Sequence, residues 1–189
     1  MKLRIGVALI AVLMVLGGCG RQQIETNMSE QLPDFKYTTQ DGNPLSLDDL
    51  KGDWWIAYFS YTHCTTVCPR TTANMVDIQQ ALKADGFTPQ IVSFGIDPAN
   101  DTPEVLRKYA ADYGADTDTF TFLTGYDFET IRTLSVNTFK AVLEEGALNQ
   151  RSHSYYFYLV NPDGEIVKKY NGMSLKENEQ LIKDVETVL

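Results

Sequence analysis

The strongest constraint on the fold is Trp54-Trp55-Ile56-Ala57-Tyr58-Phe59, an unbroken apolar and aromatic run that leads directly into Cys64, Cys68 and Pro69. Such a run, with no polar alternation, suits a strand buried on both faces, and a sheet covered on both faces needs helices to cover it. Pro69 can occupy the first turn of a helix, where its missing N–H costs nothing. Behind it Met75, Ile78 and Leu82, with Ala81 beside them, recur at helical spacing until Gly86 ends the pattern. The segment predicts strand, loop carrying two thiols, helix.

The rest of the chain extends this unit. Phe35-Lys-Tyr-Thr-Thr alternates like a strand and ends at Gln40-Asp41-Gly42, a strong hairpin-turn signal. Ile91 to Ile96 forms a second apolar strand. Asp101-Thr102-Pro103-Glu104 then announces a helix capped by Thr102, with Val105, Leu106, Tyr109 and Tyr113 as its apolar stripe. A β-α-β-α succession implies parallel pairing with a right-handed crossover. Phe120 to Leu123 follows, then a short helix from Phe128 to Leu134. Tyr155 to Val160 and Glu165 to Tyr170 are joined by Asn161-Pro-Asp-Gly164 as an antiparallel hairpin. A closing helix is capped by Ser174 and carries Leu181, Ile182 and Val185. The ordering predicts an α/β domain of thioredoxin-like fold: a central mixed sheet flanked by helices, with an N-terminal β-hairpin.

The first residues set the compartment. Lys2 and Arg4 precede an apolar run from Ile5 to Leu16, followed by Leu16-Gly17-Gly18-Cys19. A charged start, a short apolar stretch and small residues before a cleavage point mark an export signal. The run is shorter than the roughly 20 residues a membrane-spanning helix needs. The Cys after small residues resembles a lipobox, so Cys19 is expected to carry lipid and hold the chain on the outer side of the cell membrane. Residues 1–18 are then a signal peptide, 19–30 a polar tether and 31–189 a single domain. Of 189 residues, removing 18 leaves 171, enough for a proper core. Losing Lys2 and Arg4 takes the net charge from −9 to −11, which argues against nucleic acid as a partner.

Three roles compete for Cys64 and Cys68: a structural disulfide, a dithiol that exchanges electrons, and a pair of metal ligands. A disulfide closing so short a loop restrains the unfolded chain little. Cys68 lies where a helix N-terminus lowers a thiol pKa. The spacing lets two sulfurs approach each other or converge on one soft ion. A third ligand has two candidates among the histidines. His63 adjoins Cys64, and strand-like geometry points it away, as a surface or supporting residue. His153 lies in Asn149-Gln-Arg-Ser-His-Ser154, a polar loop before the strand at Tyr155 that a thioredoxin-like layout sets against the thiol loop.

Four stretches together resemble the Sco proteins, copper chaperones of cytochrome c oxidase assembly: Tyr61-Thr-His-Cys-Thr-Thr-Val-Cys-Pro69, Phe94-Gly-Ile-Asp-Pro-Ala-Asn-Asp-Thr-Pro-Glu104, Phe122-Leu-Thr-Gly125, and His153-Ser-Tyr-Tyr-Phe-Tyr-Leu-Val160 with Pro162-Asp-Gly164. The resemblance implies one copper, as Cu(I) or Cu(II), bound through Cys64, Cys68 and His153, with Asp97 as a nearby supporting or partner-facing acid. The implied partners are the copper-site subunit of the oxidase, a copper donor and a thiol reductant. The alternative from the enzyme class is a thiol-disulfide oxidoreductase working through a Cys64–Cys68 disulfide on the oxidase cysteines, or a peroxide-handling relative. Thiol reductases place Pro in the loop before the hairpin strand, where this chain has Ser152, His153 and Ser154. Thr65-Thr66 stands where Sco proteins commonly carry Pro-Asp or a similar pair.

Overall fold

The computed structural model describes residues 24–146 and 151–189. The apolar run at Trp54 becomes β4 (Trp55–Ser60), buried at every position. It pairs in parallel with β5 (Gln90–Gly95), Phe59 opposite Phe94, and β5 in parallel with β6 (Phe120–Thr124). The Asp41-Gly42 turn joins β2 (Lys36–Thr39) to β3 (Pro44–Ser46), with Gly42 at φ +80°, a left-handed conformation that disfavours a Cβ. The late hairpin is β9 (Tyr156–Val160) and β10 (Glu165–Asn171). A short β1 (Glu30–Gln31) lies along β10, giving the mixed order β1-β10-β9-β4-β5-β6-β2-β3.

Four helices are present among the described residues: α1 (Cys68–Ala84), α2 (Pro103–Tyr113), α3 (Phe128–Asn137) and α4 (Leu175–Val188). Thr102, Asp127 and Ser174 cap the last three, each accepting a backbone N–H from the first turn. Strand alternation splits the core in two. Ile56 and Tyr58 face Met75, Ile78 and Leu82 of α1, Leu106 of α2, and Leu181 and Val185 of α4. Trp55, Ala57 and Phe59 face Phe94, Phe139 and Tyr158, closed by Ile131 and Leu134 of α3. On this second side the ring centroids of Phe59 and Phe139 lie 4.9 Å apart, edge to face.

Three sequence expectations need correction. Val105 lies on α2 but is 37% exposed, because the buried stripe of that helix runs through Leu106 and Ala110. Residues 24–30, read as tether, engage the sheet in part. The Asn27 and Met28 amides donate to the Val167 carbonyl at 3.2 and 3.0 Å, and the Asn27 side chain exchanges two hydrogen bonds with the Lys169 backbone. The loop before β9 is partly a ribbon: β7 (Leu143–Glu145) pairs antiparallel with β8 (Arg151–His153), Leu143 opposite His153. Residues 1–18 and Cys19 lie outside the described residues. Among the described ones no helix is long and apolar enough to cross a membrane.

One buried ionic network fixes α4 to β10. Lys168 Nζ lies 2.7 Å from Asp184 Oδ2, which also accepts the Tyr170 hydroxyl at 2.7 Å, and Gln180 donates to Oδ1 at 2.9 Å. Removing one member of a buried pair strands the other charge at a cost of about 3–5 kcal/mol. Asp184→Ala is therefore expected to lower unfolding free energy by about that amount, read as a drop in the urea midpoint.

Candidate metal centre

The site is built where β4 ends. Tyr61 continues inward and is buried, and the chain then loops over residues 62–67 before α1 starts at Cys68 with Pro69 behind it. One carboxylate holds the loop. Asp101, fully buried ahead of α2, accepts from the Thr62 amide at 3.1 Å and the Thr62 hydroxyl at 2.6 Å, both through Oδ1. In the sequence alone Asp101 reads only as part of a helix start. Its Oδ2 is buried without a hydrogen-bond partner among the described residues.

Burial pushes the Asp101 carboxyl up to about 6, against the opposing pull of the Thr62 hydrogen bonds. The folded state therefore holds this proton more tightly than the unfolded chain does. The contribution to stability is fully present below about pH 4 and is lost as pH rises through about 6, a swing of up to about 3 kcal/mol. Asp101→Asn should flatten the stability curve between those limits, measured as urea midpoints at successive pH values.

Cys64 and Cys68 are both free thiols. Cys64 Sγ receives the Cys68 backbone N–H at 3.3 Å and lies 3.6 Å from the Thr66 hydroxyl. Its thiol is held below the usual range by hydrogen bonds at the mouth of α1, from Cys68 above all, with burial opposing. The Cys68 thiol moves the other way, because it shares its proton with Cys64 and is fully buried. Ionisation of the pair is thus favoured at Cys64, the less buried sulfur. This reverses the expectation from helix position alone, which favours ionising Cys68 at the helix N-terminus; burial and the shared proton outweigh the dipole.

His153 arrives from β8. Its Nε2 lies 3.2 Å from Cys68 Sγ, and its ring stands edge-on to Tyr61 at 5.7 Å. Nδ1 is 2.9 Å from the Ser154 carbonyl, which can only accept. That bond puts the imidazole proton on Nδ1 and leaves the Nε2 lone pair facing the sulfurs, the arrangement that metal-binding histidines use. The Sγ atoms of Cys64 and Cys68 and a ring nitrogen of His153 all lie within 4.8 Å of one another. Two soft thiolates and an imidazole, half enclosed, suit Cu(I), and the imidazole extends the set to Cu(II).

The other two polar candidates stand beside this cluster. His63 is mostly exposed, with Nδ1 3.8 Å from Asp97 Oδ2. Asp97 is buried and accepts from the Arg151 guanidinium and the Asn100 side chain at 2.9 Å each.

The SCO1/SenC family description matches residues 24–189. The chain belongs to the SCO1/SenC family. Among its relatives, the SCO1 protein homolog of Bacillus subtilis (strain 168) is 40% identical over 189 residues, covering 99% of this chain and 97% of its own. BsSco, described as a member of the Sco family of cytochrome c oxidase assembly proteins with a disulfide switch, is 38% identical with a TM-score of 0.78, covering 88% of this SCO1/SenC chain and 98% of its own. Bradyrhizobium japonicum ScoI, solved with copper bound, shares the fold at 23% identity and a TM-score of 0.70, covering 84% and 99%. The thioredoxin-like α/β fold read from the sequence is the fold of this family.

Proposed function

We propose that this protein is a copper chaperone on the outer face of the cell membrane, held there by lipid on Cys19, which carries one copper on Cys64, Cys68 and His153. Its cargo is destined for the dinuclear copper centre of cytochrome c oxidase. The observation that carries the reading is the convergence of His153 Nε2 on the two sulfurs from 85 residues along the chain. A dithiol acting only by disulfide exchange needs no such imidazole. Family membership supports the choice of cargo, and oxidase assembly is the role given to BsSco.

The chain's own residues do three things for the metal. Cys64 offers a sulfur already biased toward thiolate, Cys68 gives up its proton on binding, and His153 keeps its Nε2 lone pair for the ion. Because the ligating forms are deprotonated, uptake releases protons and strengthens as pH rises. Titration of the reduced protein with copper tests the assignment, read by thiolate-to-copper absorption and electron paramagnetic resonance. One equivalent bound is the expected result; no retention, with ordinary disulfide turnover instead, would hand the site to the oxidoreductase reading.

A further inference from the structure

A ribbon of three residue pairs does not hold itself in place; hairpins of that size are marginal in water. The position of His153 must therefore be set by what the ribbon touches. Leu143 anchors one strand in the core, and the Val142 carbonyl accepts the Ser154 amide at 3.0 Å just past the ribbon's end. On the strand that carries His153 the anchor is Arg151, two residues before it and so on the same face.

Arg151 connects the ribbon to several other segments. Its backbone N–H donates to the Tyr61 hydroxyl at 3.3 Å. Its guanidinium donates to Asp97 Oδ1 at 2.9 Å and to Glu145 of the facing strand at 3.4 Å, and Cζ lies 4.2 Å over the Phe128 ring at the start of α3. The side chain is only 14% exposed and that of Asp97 only 3%. Asp97 in turn faces His63 of the thiol loop through its other oxygen. One planar cation thus ties the ribbon to the end of β5, to α3 and, through one carboxylate, to the side of the loop that bears Cys64. Lysine has neither the flat face for the ring nor the fork for two acids.

We propose that Arg151 is the positioning residue of the metal centre: clasped between Asp97 and Phe128, it sets where His153 stands relative to the two sulfurs. The inference rests on His153 being a ligand. Removing the clasp leaves the thiolates untouched and frees the imidazole, so the loss falls on the oxidation state that depends on nitrogen. Cu(II) affinity should drop about 10–100-fold, as loss of groups that orient a ligand does elsewhere, while Cu(I) affinity stays within about threefold.

The test compares Arg151→Gln and Arg151→Lys with wild type, in the reduced full chain. Both copper states are measured by competition titration, with the Cu(II) spectrum recorded by electron paramagnetic resonance. The copper-free proteins are compared by amide hydrogen exchange at Ser154. Arg151→Gln is expected to show the Cu(II)-selective loss, an altered spectrum and exchange at least about tenfold faster at Ser154, a local opening in a ribbon that has lost one of its outside anchors. Arg151→Lys should recover part of each. A folded Arg151→Gln protein with wild-type Cu(II) affinity and spectrum overturns the proposal, and so do equal losses of Cu(I) and Cu(II), which mean general unfolding. His153→Ala separates the two levels: if it retains wild-type Cu(II) affinity the ligand assignment fails, whereas a loss there with none in Arg151→Gln removes the clasp alone.

Discussion

Replacing His153 by Ala strips the reduced protein of tight Cu(II) binding and leaves Cu(I) bound. Two thiolates alone satisfy Cu(I), which accepts low coordination by soft donors, but Cu(II) prefers a tetragonal set containing nitrogen or oxygen. The Nε2 lone pair already faces Cys68 Sγ at 3.2 Å, with its tautomer fixed by the Ser154 carbonyl. Little rearrangement separates the free site from the loaded one, so most of the imidazole's contribution is lost on truncation. The expected fall in Cu(II) affinity exceeds about 100-fold, above the range that outer partners of a ligand cost. Competition titrations against a chelator for each oxidation state check it. Equal losses in both states would mean that the histidine holds the loop rather than the ion.

Joining Cys64 to Cys68 as a disulfide abolishes copper binding altogether. Oxidation by diamide takes two electrons from the two sulfurs, releases the proton that Cys68 still carries and forms the S–S bond, the diamide being reduced to its hydrazine; no thiolate is left to ligate. The Cys64 sulfur, biased toward thiolate and the less buried of the two, is the one that attacks; Cys68, buried and protonated, resolves. Stoichiometry measured by equilibrium dialysis should fall from one copper to none and return when the thiols are reduced. Retention of a full equivalent by the oxidised protein would remove both sulfurs from the centre.

Much of this was readable in the chain because strong local signals and tertiary packing agree. The unbroken apolar run became a strand buried throughout, and Pro69 and Thr102 mark helix starts that exist. His153 was placed by the resemblance and by its position just ahead of β9. Arg151 was not singled out, since its partners Asp97, Phe128 and Tyr61 lie on three other segments and nothing local distinguishes it from a surface arginine. The β7–β8 ribbon was missed for a related reason: three polar-rich residues on each strand carry too little periodicity to read. Asp101 reads as part of a helix start because Thr-Pro follows it, and only the fold brings Thr62 to it.

The stitching of Asn27 to Lys169 has a consequence for delivery. With an acyl chain on Cys19, eight Cα–Cα steps separate it from Asn27, where the chain is hydrogen-bonded to the sheet, and a fully extended chain of that length reaches about 28 Å. The globule then hangs on a short leash, its range comparable to its own diameter. Such a carrier patrols a thin shell of the envelope, and a recipient must present its metal-accepting surface at the same low altitude above the lipid.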